Sequence, residues 1–300
     1  MRITQGLMYG RLTRDLSAGL QATYAAQQQV TTGRRFDRVS DDPVHGIDVV
    51  RVKSEMRALE QYRRNVLPAR TRLDTEDAVI GQLLEVLDEA TELAVTQGSA
   101  TAGPETRTAS AISVQAWIDQ AIQLGNTKVG ADYIFGGFDT DNPPFDAAGA
   151  YNADIPGVAN AAVRDGTRRY EVLPGLAVDG TQTGQAIFVD TGLLQALTDL
   201  RDALQANDVA AIGAAATAID AAFDRVQERR SVTAGRLQQL DRAENVLTGL
   251  EENAVTREDI AWNVDVEEAV TRLAAAQSTM QAALLAASRA LTTSLTEYLR

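Results

Sequence analysis

Apolar residues recur at seven-residue intervals along one stretch of the chain: Val52, Leu59, Val66, Leu73, Ile80, Leu87 and Ala94. Met56, Tyr62, Ala69, Leu83 and Ala90 fill most of the intermediate places. The spacing is that of a coiled-coil seam and predicts one long helical arm. Pro68 interrupts it and predicts a kink or a split. A second seam alternates steps of four and three through Val266, Val270, Leu273, Gln277, Met280, Leu284, Ala287, Leu291, Ser294 and Tyr298, with Leu295 beside it. One helix cannot bury its own stripe, so the N-terminal and C-terminal arms are expected to pair antiparallel.

The leading segment is patterned differently. Ile3, Leu7, Leu12, Leu16, Leu20 and Tyr24 are four or five residues apart. On a helix they spread over about 220° of the surface, too wide for one stripe. Such a helix suits burial from several sides, as in an assembly; an ordinary core helix also fits the pattern.

Between the arms the pattern changes. None of the seven prolines lies after Pro174, and glycine and aromatic residues concentrate between residues 130 and 192. Residues 139–189 read as a small β-rich insert. Asp165-Gly166 lies between two candidate strands in AAVRDGTRRYEVL (161–173), and GQAIFVD (184–190) is a third. Gly33, Gly98, Gly125, Gly130, Gly235 and Gly249 mark expected helix ends or corners. The resulting fold is mainly α. Long N- and C-terminal helices pair as an antiparallel coiled-coil rod, and a small β-rich domain is inserted. Residues 1–45 with 265–300 form terminal assembly helices, 46–138 with 190–264 a rod, and 139–189 an outer domain.

Composition narrows the function classes. A chain of 300 residues with 45% apolar content can bury a core. Net charge is −13, which argues against a phosphate backbone as the main partner. Cysteine is absent and His45 is the single histidine, so thiolate chemistry and histidine clusters are unavailable. No segment is apolar enough to suggest a membrane span, and the leading residues lack the apolar run of a secretory signal. The expectation is a cytosolic chain, or one exported without a cleavable signal.

The segment TTGRRFDRVSDDPVHGIDVVR (31–51) is the most distinctive. Gly33 suits the residue after a helix, and Asp42-Pro43 suits an N-cap followed by the first helical residue. The stretch therefore reads as a loop between two helices. Its glycine lacks the GxxxxGK[ST] spacing that wraps a phosphate. Arg34, Arg35, Arg38, Arg51 and Lys53 form a basic concentration, either a solvated loop or a contact for an acidic surface. His45 is expected at the surface. In DTDNPPFD (139–146), Pro143 and Pro144 occupy places a calcium loop gives to a ligand and a glycine, leaving an acidic turn. Glu267 and Glu268 beside Asp265 suit a helix start. GxSxG, HExxH and GxGxxG are all missing. No metal, cofactor or catalytic set is assigned.

These segments together resemble a known family. TTGRRFDRVSDDPV between two helices, the leading MRITQGLMYGRL, YIFGGFDTDNPPFD (133–146), AGRLQQLDRAENVL (234–247), NVDVEEAVTRL (263–273) and the closing QAALLAASRALTTSLTEYLR are similar to the flagellin-like axial proteins of bacterial flagella. The inter-helix motif comprises Gly33, Arg34, Ser40, Asp41, Asp42 and Pro43. Filament flagellins typically carry Asp-Asp-Ala-Ala-Gly where this chain has Asp41-Asp42-Pro43-Val44-His45, which points to the hook–filament junction branch.

The resemblance implies a non-enzymatic structural component of the flagellum that self-associates in a ring or helical layer through its terminal helices. Ile3, Leu7, Leu12, Leu16, Leu20, Val266, Val270, Leu273, Met280, Leu284, Leu291 and Leu295 would then lie at subunit contacts. Val52, Leu59, Val66, Leu73, Ile80 and Leu87 would form the rod seam. Implied partners are flagellin, another hook-associated protein and an export chaperone. The implied location is extracellular, reached by the flagellar type III route. A filament-forming flagellin is the near alternative; a cytosolic coiled-coil adaptor or enzyme is the alternative of another class.

Overall fold

The computed structural model describes residues 2–99, 102–151 and 166–298; the side chains of 2–6, 8, 9 and 290–298 lie outside the description. Six α-helices dominate: α1 (Arg2–Thr32), α2 (Pro43–Gln97), α3 (Pro104–Gly125), α4 (Leu193–Gln205), α5 (Val209–Trp262) and α6 (Val266–Tyr298). Two short antiparallel hairpins lie between α3 and α4: β1 (Lys128–Val129) with β2 (Asp132–Tyr133), and β3 (Arg169–Leu173) with β4 (Leu176–Asp179). The long-helix, inserted-strand architecture expected from periodicity is the one observed.

Local chemistry sets the helix ends. Gly33 follows α1 at φ +68°, and its N–H donates to the Gln29 carbonyl at 2.9 Å. Asp42 caps α2 by accepting the His45 N–H at 3.2 Å, with Pro43 as the first helical residue. Asp208 and Asp265 cap α5 and α6 by accepting N–H groups of their first turns. Pro68 does not split α2, which runs unbroken through it. Gly235 and Gly249 lie inside α5 rather than at corners. A single glycine costs a helix about 1 kcal/mol, too little to stop one of this length.

The chain divides into two compact units, residues 1–58 with 249–300, and residues 59–248. In the second unit Val66, Leu73, Ile80, Leu83, Leu87 and Ala90 of α2 are almost wholly buried, as are Val114 of α3, Leu197 and Leu200 of α4, and Ile212 and Ile219 of α5. α2 and α5 are tied there by Arg70 to Asp241 and Glu244 and by Arg230 to Asp77 at 2.9 Å. Phe188 packs against Phe145 and Phe135, with ring centroids at 5.0 and 5.5 Å. Asn126 holds Phe145 in place by bonding both its N–H and its carbonyl at 3.0 Å.

Two details of the insert differ from the sequence expectation. The strand at 169–173 pairs with 176–179 across Pro174-Gly175, a hairpin the sequence reading did not place. Proline supplies the first turn dihedral and Gly175, at φ +75°, the second. The half of the expected hairpin before Gly166 lies outside the described residues. GQAIFVD is not a strand: residues 185–189 form a π-helical turn that buries both Ile187 and Phe188. Periodicity cannot separate a buried helical turn from a strand in so short an apolar run.

Candidate assembly surface

Within the first unit α1 and α6 lie side by side. They run antiparallel: Arg34 bridges Asn263 at one end, and Gly19 faces Met280 further along. The inward residues of α1 are Leu12, Leu16, Gly19, Thr23, Ala26 and Val30, all half-buried except Ala26, which is buried. Those of α6 are Ala269, Leu273, Ala276, Met280, Ala283 and Ala287. Both sets step by four and three. A side chain added at Gly19 would meet the Met280 sulfur at 3.1 Å, so a small residue there permits the close approach.

The C-terminal seam read from the sequence is therefore corrected. Leu273, Met280 and Ala287 belong to the inner face, whereas Val266, Val270 and Leu284 do not. Alanines take four of the six inner positions, and Val266, Val270, Leu284 and Leu285 point outward. Val266 is 57% exposed, Leu284 50% and Leu285 62%. On α1, Leu7, Leu20 and Tyr24 are 58–66% exposed. Ile3, Leu291 and Leu295 lie on helical backbone, with side chains outside the described residues. The partner of α6 is α1, so the terminal helices pair antiparallel as the sequence led one to expect. Val52 and Leu59, like the later residues of that seam, are buried.

The loop at 33–42 is clipped to the α5–α6 connection. The Arg35 N–H donates to the Trp262 carbonyl at 2.8 Å, and the Val264 N–H donates to the Gly33 carbonyl at 2.9 Å. Gln29 Nε2 donates to the Arg35 carbonyl at 2.8 Å. Phe36, Val49 and Ala261 form a small core with Trp262, whose ring lies 5.4 Å from that of Phe36. Lys53 and Arg34 sit 4.2 and 5.2 Å from the Trp262 ring.

The Arg34 and Arg38 N–H groups donate to Thr32 and Asp41, and that of Arg35 to Trp262, so the three basic residues of the loop do not turn their N–H groups to an anion. Ser40 also bonds Asp41. Most of the basic concentration is engaged inside the unit: Arg35 with His45, Lys53 with Glu258 at 3.6 Å, and Arg51 beside Asp48 at 3.7 Å. His45 is not a bland surface residue. It joins Asp42 at 2.7 Å to Arg35 at 2.8 Å, beside a groove of about 610 Å³. The His45 N–H and imidazole hold the Asp42 carboxyl below its ordinary value.

Sequence reading missed one buried polar node. The Glu76 carboxylate accepts the Gln182 N–H and Nε2 at 2.9 Å each and the Thr233 hydroxyl at 2.7 Å. Burial pushes its carboxyl above the ordinary range. The only signal was an acid close to the seam, next to buried Leu73 and Ile80. In 139–146, Asn142 bonds Asp139, and Asp146 accepts the Ala148 and Ala150 N–H groups, so this is a turn closed on itself. Among the described residues no three metal-ligating side chains converge, and no helix is long and apolar enough to cross a membrane.

Comparison with known proteins agrees with this geometry. Residues 4–140 match the bacterial flagellin N-terminal helical region. Flagellar hook-associated protein 3 of Salmonella typhimurium is 29% identical over 154 residues, 51% of this chain and 49% of that protein. The chain thus spans about half the length of such relatives. The flagellar junction protein FlgL from Legionella pneumophila superposes with a TM-score of 0.59 at 14% identity, covering 72% of this chain and all of that one. Bacillus cereus FlgL gives 0.58 at 18% identity, covering 68% of this chain and 97% of that one. The chain is thus similar to hook-associated protein 3 over about half its length, and residues 4–140 are similar to the flagellin N-terminal helical region.

Proposed function

We propose that this chain is a structural component of the bacterial flagellum, an adaptor between hook and filament that polymerises through its terminal helices. The observation that carries the reading is the outer face of the α1–α6 pair, where Leu7, Leu20, Tyr24, Val266, Val270, Leu284 and Leu285 stand in solvent. Apolar surface of this kind marks an interaction site. Neighbouring subunits would bury it, and the contacts would be apolar rather than catalytic.

The names of the relatives support the flagellar setting. In this reading flagellin lies on one side, another hook-associated protein on the other, and an export chaperone covers α6 before assembly. The chain acts outside the cell after flagellar type III export. Residues 1–45 with 265–300 are the assembling part, 46–138 with 190–264 the rod, and 139–189 the outer domain.

Leu284→Asp tests the reading. The side chain is half exposed, so the charge leaves the fold unchanged while opposing burial between subunits. Incorporation into flagella is expected to fall at least about tenfold, since burying an unpaired charge costs well over 1.4 kcal/mol. Normal incorporation of a folded variant would contradict the proposal.

A further inference from the structure

We propose that His45 is a proton-operated latch that holds the Arg35 side chain when neutral and releases it when charged. A guanidinium has only donors, so the imidazole Nε2 lying 2.8 Å from Arg35 Nη1 must present its lone pair. A neutral imidazole carries one N–H, which is therefore on Nδ1 and donates to the Asp42 carboxylate at 2.7 Å. The contact set admits one tautomer of one charge state.

Protonation adds an N–H at Nε2 that points at the Arg35 donor. Two donors and two positive charges then face one another, and the guanidinium must leave. Asp42 keeps the imidazolium on the other side. Its carboxyl is already held in its charged form by the His45 N–H, so it stays ionised while the ring titrates. Histidine is the side chain that ordinarily changes charge between pH 5 and 8.

The surroundings permit two positions for Arg35. Its backbone is clipped by its N–H to Trp262 and its carbonyl to Gln29. Its side chain borders the groove of about 610 Å³, which Asp37 and Asp41 also line. Room and an acidic alternative are both present. The other charged groups lining the two grooves beside the ring are Arg34, Asp37 and Asp41 of the loop, Asp48 and Arg51 of α2, Arg257 of α5 and Arg272 of α6. Three acids nearly offset four bases, and the two direct contacts to the ring are the nearest charges.

Because His45 is the only histidine, its imidazole gives one resolved set of nitrogen and carbon-bound proton signals. The test is a ¹⁵N-detected titration of the full chain between pH 8.5 and 5. At high pH the Nδ1–H tautomer is expected. An arginine-specific protease adds a readout of release: cleavage within 33–42 should rise several-fold from pH 8 to pH 5.5 relative to His45→Gln handled identically. The Nε2–H tautomer at high pH would overturn the proposal. So would equal acid-dependence of cleavage in wild type and His45→Gln. The tautomer is read on the unmodified chain, so misfolding of a variant does not remove the test.

Discussion

Glu76 is a carboxylate placed where water does not reach it, surrounded by donors that suit it. Its bonds join α2 to the segment after β4 and to Thr233 of α5, setting the register of three pieces of chain. Removing one carboxylate oxygen in Glu76→Gln leaves buried donors facing an amide, at a cost of about 1–3 kcal/mol. The pH dependence has a definite sign. Burial raises the folded-state value above the ordinary 4.5, so the folded chain binds this proton more tightly than the unfolded chain. The contribution to stability is complete below pH 4.5 and is lost as pH rises through the folded value. Urea unfolding across pH should therefore show the gap between wild type and Glu76→Gln narrowing as pH rises. A gap that widens would contradict this account. Little of this was legible in the sequence, because the partners Gln182 and Thr233 are more than a hundred residues away. By contrast Asp42, Pro43 and Gly33 declare their roles locally, since caps and C′ glycines depend only on the adjoining turn.

Among the elements, α2 shows how far periodicity reaches. Every residue the seven-residue spacing selects from Val52 to Leu87 is buried, and Val79, Leu84 and Val86 are buried beside that stripe. Pro68 was the misleading signal, since helix α2 runs through it with the proline ring exposed. The ring still removes one backbone donor, and the Arg64 carbonyl goes without its helical partner. Pro68→Ala should raise stability by about 1–3 kcal/mol, seen as a higher thermal midpoint. An unchanged or lower midpoint would mean that the proline relieves strain elsewhere. Helix α6 teaches the opposite lesson. Reading its largest apolar residues as the seam placed Val266, Val270 and Leu284 inside, whereas Ala269, Ala276 and Ala283 lie there. Gly19 of α1 leaves room for Met280 and alanines fill most other inner places, and that partner is not visible from α6 alone. The 184–190 segment was ambiguous for a different reason: a short apolar run fits a strand or a buried turn equally.

For the whole molecule, two features recoverable from sequence carry the functional reading: long helical arms at both ends, and an acidic, glycine-rich insert between them. Neither provides catalytic chemistry, and the apolar residues left outside on α1 and α6 supply a reason to associate. A junction layer and a filament would use the same physics of helix burial and differ in where the subunits stop. Position along the flagellum is thus the property that separates the proposed adaptor from a flagellin. Immunogold electron microscopy of whole cells, with antibody against residues 139–189, measures it directly. The account predicts a single narrow band between hook and filament; label along the whole filament, or only inside the cell, would contradict it.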